Sequence, residues 1–169
     1  MKPYQTWAAA VATAILALAA SPSLAQNQHA HGANDAAPAI SPQEHAFGQQ
    51  GNPTQVWRTL TVEMTDSMRF KPAEISIQQG ETVRFIVRNA GALKHEMVLG
   101  TLASLKEHGQ MMGQQTGMSH DAPYMVHVDP GQSQELIWHF TKAGQFQFGC
   151  LVAGHFEAGM AGKITVNKR

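Results

Sequence analysis

From residue 56 onward, large apolar residues recur at every second position, and this rhythm restricts the chain to sheets. Leu60, Val62 and Met64 alternate with Thr59, Thr61 and Glu63. Val83, Phe85 and Val87 alternate with Arg84 and Arg88, and Leu136, Trp138 and Phe140 with Ile137 and His139. Ile75 and Ile77 flank Ser76, Phe146 and Phe148 flank Gln147, and Ile164 and Val166 flank Thr165. A period of two places successive side chains on opposite faces, so each segment reads as a half-buried strand of an antiparallel sheet. Gln79-Gly80, Asn89-Ala90-Gly91, Pro130-Gly131 and Ala143-Gly144 separate the segments as turns. Six to eight short strands at this spacing predict an all-β fold, a β-sandwich with Greek-key links.

Two stretches fall outside the rhythm. Residues 101–127 show no alternation; Leu102, Leu105, Lys106 and Glu107 predict a short helix, followed by a loop rich in Met, Gly and His. An insertion of this length in a compact domain is functional or mobile as a rule. Residues 26–55 are rich in Gln, Asn, Ala, Gly and Pro, which predicts a flexible tail. That tail carries His29, His31 and His45, so it reads either as a polar linker or as a weak metal-collecting arm.

Residues 1–25 carry an address. Lys2, a short apolar run over residues 8–20 and the small-x-small triplet Ser23-Leu24-Ala25 predict a signal peptide cleaved before Gln26. The run is too short to span a bilayer as a stable helix, which disfavours the alternative of an uncleaved anchor. A periplasmic product is expected, with one domain over residues 56–169. The formal net charge is zero, so no broad field points to nucleic acid.

Cys150 is the chain's one cysteine and cannot close an intramolecular disulfide. In an oxidising compartment a free thiol is a liability that burial or a metal removes. Strand parity says where it points. Phe146, Phe148 and Cys150 share a face, so the sulfur turns toward the core. Met160 shares parity with Ile164 and Val166, and His95 shares it with Met97 and Leu99. His155 lies on the loop between Cys150 and Met160, where Gly149, Gly154 and Gly159 permit tight turns. Alone, each of these residues is more simply a core or surface side chain. Together, His95, Cys150, His155 and a distant Met160 form a set suited to one copper ion moving between Cu(I) and Cu(II). Zinc is the weaker alternative, since one thiolate with a Met partner is a poor zinc set. The backbone N–H of Glu96 is expected to hydrogen-bond the sulfur.

Over residues 57–168 the chain resembles the cupredoxins, the family of plastocyanin, azurin and pseudoazurin. The resemblance rests on Phe70-Lys71-Pro72, on the run from Ile75 through Gly80 to Phe85, on Lys94-His95-Glu96, on Gly144 through Phe146 and Phe148 to Cys150, on Gly154-His155, and on Gly159-Met160 through Val166. It implies a Greek-key sandwich and a type 1 copper site with His95, Cys150 and His155 as strong ligands and Met160 as the axial one. The ligand loop, with four residues on each side of His155, and Glu96, where the electron carriers often have Asn, depart from the family pattern. The insertion and the His-bearing tail resemble the periplasmic CopI-type cupredoxins associated with copper tolerance.

Met111, Met112, Met118 and His120, with His108, Met125 and His127 nearby, are candidates for a second, weaker copper site; adaptable Met packing is the alternative. The functional expectation is a periplasmic copper protein of tolerance or homeostasis, able to transfer electrons. A dedicated electron carrier, its redox partner docking transiently on Leu151, Val152 and the turn from Gly91 to Leu93, is the alternative. Neither nucleic acid nor a stable membrane association is expected after signal cleavage. An enzyme is not expected, because a complete ligand set leaves no open position for substrate.

Overall fold

The structure, a computed structural model, describes residues 40–114 and 121–169. The signal segment, His29, His31, Met118 and His120 lie outside the described residues. Eleven strands are present among the described residues: β1 (Glu44–His45), β2 (Gly48–Gln50), β3 (Arg58–Thr65), β4 (Arg69–Lys71), β5 (Glu74–Gln78), β6 (Thr82–Asn89), β7 (His95–Gly100), β8 (Met125–Val128), β9 (Ser133–His139), β10 (Gly144–Gly149) and β11 (Ala161–Asn167). Helix α1 (Leu102–Gln114) lies between β7 and β8. No helix among the described residues is long and apolar enough to cross a membrane.

The strands form two sheets, ordered β1-β2-β9-β6-β3-β4 and β5-β11-β10-β7-β8. Their inner faces close one core containing Val62, Met64, Phe70, Phe85, Trp138, Phe148 and Ile164. The alternating residues are thus the buried ones: Ile75 and Ile77 in β5, Val83, Phe85 and Val87 in β6, Phe146 and Phe148 in β10. This is an all-β sandwich in which the chain passes repeatedly from one sheet to the other.

The sheets are not purely antiparallel, contrary to the sequence expectation. β3 pairs in parallel with β6, and β5 in parallel with β11. The cause is the crossing pattern: after the β3–β4 hairpin the chain visits the second sheet as β5, then returns beside β3 in the same direction as β6. Side-chain alternation carries no record of strand direction.

The region expected to be a tail is partly built into the first sheet. β1 pairs with β2, and β2 pairs with β9 through Gln49↔His139 and Gln50↔Trp138. One side chain compensates for the polar composition: Phe47 is buried, stacks on Trp138 at 5.2 Å between centroids, and accepts the indole N–H through its carbonyl at 2.8 Å. Phe47→Leu keeps apolar volume but loses the ring contact, which is worth about 1 kcal/mol. Urea unfolding should show a loss of that size, whereas an unattached tail would show none.

The insertion also differs from expectation. α1 runs through Met111 and Met112, so both sit on a helix rather than in a loop. Residues 125–128 form an edge strand that pairs with β7 through His95↔Val128 and Val98↔Met125. Strand β7 is buried at all six positions. Met97 and Leu99 enter the main core, while Val98 joins Leu105, Met125 and Leu151 in a second cluster beneath α1. Met125 is therefore packing, as the adaptable-filler alternative holds for that residue.

Candidate metal centre

Three strand ends meet at one pole of the sandwich. His95 opens β7, Cys150 follows the last residue of β10, and Met160 precedes β11. The loop between Cys150 and Met160 turns back on itself: His155 N–H donates to the Val152 carbonyl at 2.9 Å, and Met160 N–H to the His155 carbonyl at 3.0 Å. Cys150 N–H donates to the Met160 carbonyl at 3.1 Å, which closes the loop at its base. Gly154 and Gly159 adopt φ of +83° and +92°, values that side chains resist and that these tight turns require.

The loop carries His155 over Cys150. Cys150 Sγ lies 3.3 Å from His155 Nδ1 and 4.0 Å from His95 Nδ1, and the two Nδ1 atoms are 3.2 Å apart. A first-row ion with bonds of about 2.0 Å to nitrogen and 2.3 Å to sulfur, at the centre of a trigonal plane, needs N···N near 3.5 Å and N···S near 3.7 Å. The donors therefore stand within about 0.4 Å of the separations such an ion needs. Met160 is fully buried in the same core cluster as Cys150. A thiolate and two imidazoles, with a thioether in the same core cluster, suit copper better than zinc or a hard cation.

The surroundings prepare these atoms. Glu96 N–H donates to Cys150 Sγ at 3.4 Å, as the sequence reading expects. Burial pushes the Cys150 thiol up to about 11, against hydrogen bonds from the Glu96 and Val152 amides that pull it down. Without a cation the sulfur is thus a neutral thiol, and a metal must displace its proton. Burial, and then the neighbouring His95, hold His155 below the usual imidazole range, so it keeps a free lone pair at neutral pH.

Three residues outside the expected ligand set position it. Asp66 Oδ1 accepts from His95 Nε2 at 3.1 Å. A carboxylate only accepts, so the proton sits on Nε2 and the Nδ1 lone pair faces the sulfur. Asp66 is in turn held by the Ala92 and Leu93 amides at 2.7 and 3.2 Å, and the Ala92 bond chiefly holds its carboxyl below the usual range. Asn89, fully buried, donates to the Leu93 and Val128 carbonyls at 2.7 and 2.9 Å and secures the turn before His95. Glu96 spends its buried carboxylate on scaffold groups. Oε1 accepts from Leu151 N–H at 2.7 Å, and Oε2 from His127 Nδ1 at 3.0 Å. His127 therefore serves the strand scaffold. Asp66 lies 29 residues from His95 in sequence, so no local motif marks it as that ligand's partner.

Removing the Asp66 carboxylate frees the His95 ring to rotate. Asp66→Ala is expected to weaken copper binding by roughly 10- to 100-fold, with Asp66→Asn closer to the unaltered protein, in a chelator-competition titration.

The expected docking surface needs a correction. Leu151 is buried against Val98, Leu105 and Met125 beneath α1 and cannot meet a partner. Leu93 is about half exposed (47%), and Val152 is half-buried.

The family model for copper binding proteins of the plastocyanin/azurin family matches residues 57–167. A protein of Rubrivivax gelatinosus named copper-resistant cuproprotein CopI is 46% identical over 152 residues, which cover 90% of this chain and 92% of that protein. A protein of the same name from Pseudomonas aeruginosa is 39% identical, with 72% of this chain and 82% of that protein covered. Among solved structures, reduced auracyanin from Roseiflexus castenholzii superposes with a TM-score of 0.56 at 20% identity, covering 66% of this chain and 98% of that one.

Proposed function

Because the chain belongs to the plastocyanin/azurin family of copper-binding proteins, we propose that it is a periplasmic copper-tolerance protein holding one type 1 copper. In this reading His95, Cys150 and His155 are the strong ligands, Met160 is the weak axial ligand, and residues 1–25 are the secretion signal. Its main support is the convergence of two Nδ1 atoms and one Sγ within 4.8 Å of one another, in a chain so similar to copper-resistance cuproproteins. Copper bound there supplies one-electron exchange between Cu(I) and Cu(II). The chain's own groups do the rest. Asp66 sets the tautomer of His95, the Glu96 and Val152 amides temper the charge on sulfur, and burial in the core cluster keeps water from it.

The partial exposure of His155 beside an otherwise buried sulfur favours a second reading, a dedicated electron carrier with a transient partner. The two readings separate in cells. Deleting the gene should sensitise growth to copper, with rescue by the intact gene and not by Cys150→Ser. Unchanged copper sensitivity with loss of respiration on a particular acceptor would favour the carrier. Mass spectrometry of the periplasmic fraction should find the chain beginning at Gln26.

A further inference from the structure

His45 from β1 and Met111 from α1 line one cavity of about 230 Å³, together with Glu107 and His108. His108 and Met111 are three residues apart on α1 and so share a face. Aromatic neighbours fix the His45 ring, with Phe47 stacked at 5.3 Å and Tyr124 edge-on at 5.0 Å. Its Nε2 is shielded from solvent and has no hydrogen-bond partner among the described residues. A buried imidazole nitrogen in that state costs free energy that a bound ion would recover. Leu99, another wall of the cavity, lies four residues along β7 from His95, roughly 13 Å away, so this cluster is separate from the first centre.

We propose that His45, His108 and Met111 form a second metal site selective for Cu(I). Two imidazoles and a thioether make a soft, low-coordinate set. Cu(II) prefers tetragonal nitrogen and oxygen ligands, and zinc gains little from a thioether. The walls Phe47, Val98, Leu99 and Leu105 limit water at the ion, while Met111, 54% exposed, gives it a way in from solvent. The site shares Met111 and the neighbouring His108 with the Met-rich set expected from sequence; Met112 does not line the cavity, and Met118 and His120 lie outside the described residues. Glu107 at the cavity wall carries a carboxylate that would favour a harder ion, which makes selectivity testable.

The test is an anaerobic titration of the full chain with Cu(I) against a chromophoric chelator, with the first centre already loaded and reduced. A second equivalent should bind. His45→Phe, which keeps the ring stack, and Met111→Leu, which keeps the apolar volume, should each weaken it at least roughly tenfold. Both variants should retain the first equivalent and the visible band that appears on oxidation. Met111→Leu alters a half-exposed helix position, so it remains informative even where His45→Phe fails to fold. Uptake of one equivalent only overturns the proposal, as does a second equivalent unaffected by either variant. Equal affinity for Zn(II) overturns the selectivity. Any of these failures leaves the first equivalent in place, and with it the tolerance reading.

Discussion

Glu96→Ala is expected to cost the domain about 3 kcal/mol, and Glu96→Gln about 1 kcal/mol. The carboxylate is 2% exposed and both of its oxygens are used. Alanine strands the Leu151 amide beneath α1 and removes the acceptor of His127 Nδ1. Each orphaned buried donor costs about 1–3 kcal/mol, and the lost side-chain volume adds a cavity. His127 is a quarter exposed and can partly rehydrate, which keeps the sum low in that range. Glutamine preserves the shape and a carbonyl for Leu151, and its amide can face the other tautomer of His127. Denaturant unfolding of the apo proteins measures both losses. The same pair should rank in the copper-loaded spectrum, because the Leu151 amide adjoins Cys150: alanine perturbs the thiolate band more than glutamine does. Equal stability of Glu96→Ala and the unaltered chain would falsify this account of Glu96 as the pin of the ligand loop.

This pin shows where sequence reasoning runs out. The parity of Phe146, Phe148 and Cys150, and of His95, Met97 and Leu99, is a local property of each strand, and it turns two of the donors toward the core without knowledge of strand order. Burial of a second face is not local. Glu96 reads as an outward residue next to a ligand, yet α1 and Leu151 pack on that face, so the carboxylate becomes structural. Leu151 is misplaced for the same reason: its exposure depends on a helix 40 residues earlier in the chain. Asp66 sits in a turn of ordinary composition and Asn89 at the end of β6, and only the folded geometry brings Asp66 to His95. β1 and β2 escape notice because a single phenylalanine, Phe47, anchors them amid polar residues. The parallel pairs β3–β6 and β5–β11 follow from connectivity between sheets, on which a period of two is silent.

Copper should raise the melting temperature of the protein by about 15 °C, and Cys150→Ala should remove most of that rise. A ligand at a thousand times its dissociation constant stabilises the folded state by about 4 kcal/mol, and a domain of this size gains roughly 4 °C per kcal/mol. Without copper the substitution deletes a small buried group in a well-packed cluster and costs only about 1 kcal/mol. The apo proteins should therefore melt within a few degrees of each other, while the copper-loaded ones separate widely. Chelator treatment should return the unaltered protein to its apo value. The asymmetry follows from the sulfur's two lives: at a thiol value near 11 it is a neutral core atom, and only an ion that displaces the proton makes it a ligand. An equal copper-induced rise in Cys150→Ala would mean that the stabilising ion sits elsewhere. A residual rise of a few degrees that disappears when Met111→Leu is added belongs instead to the cavity under α1, so one set of melts separates the two sites.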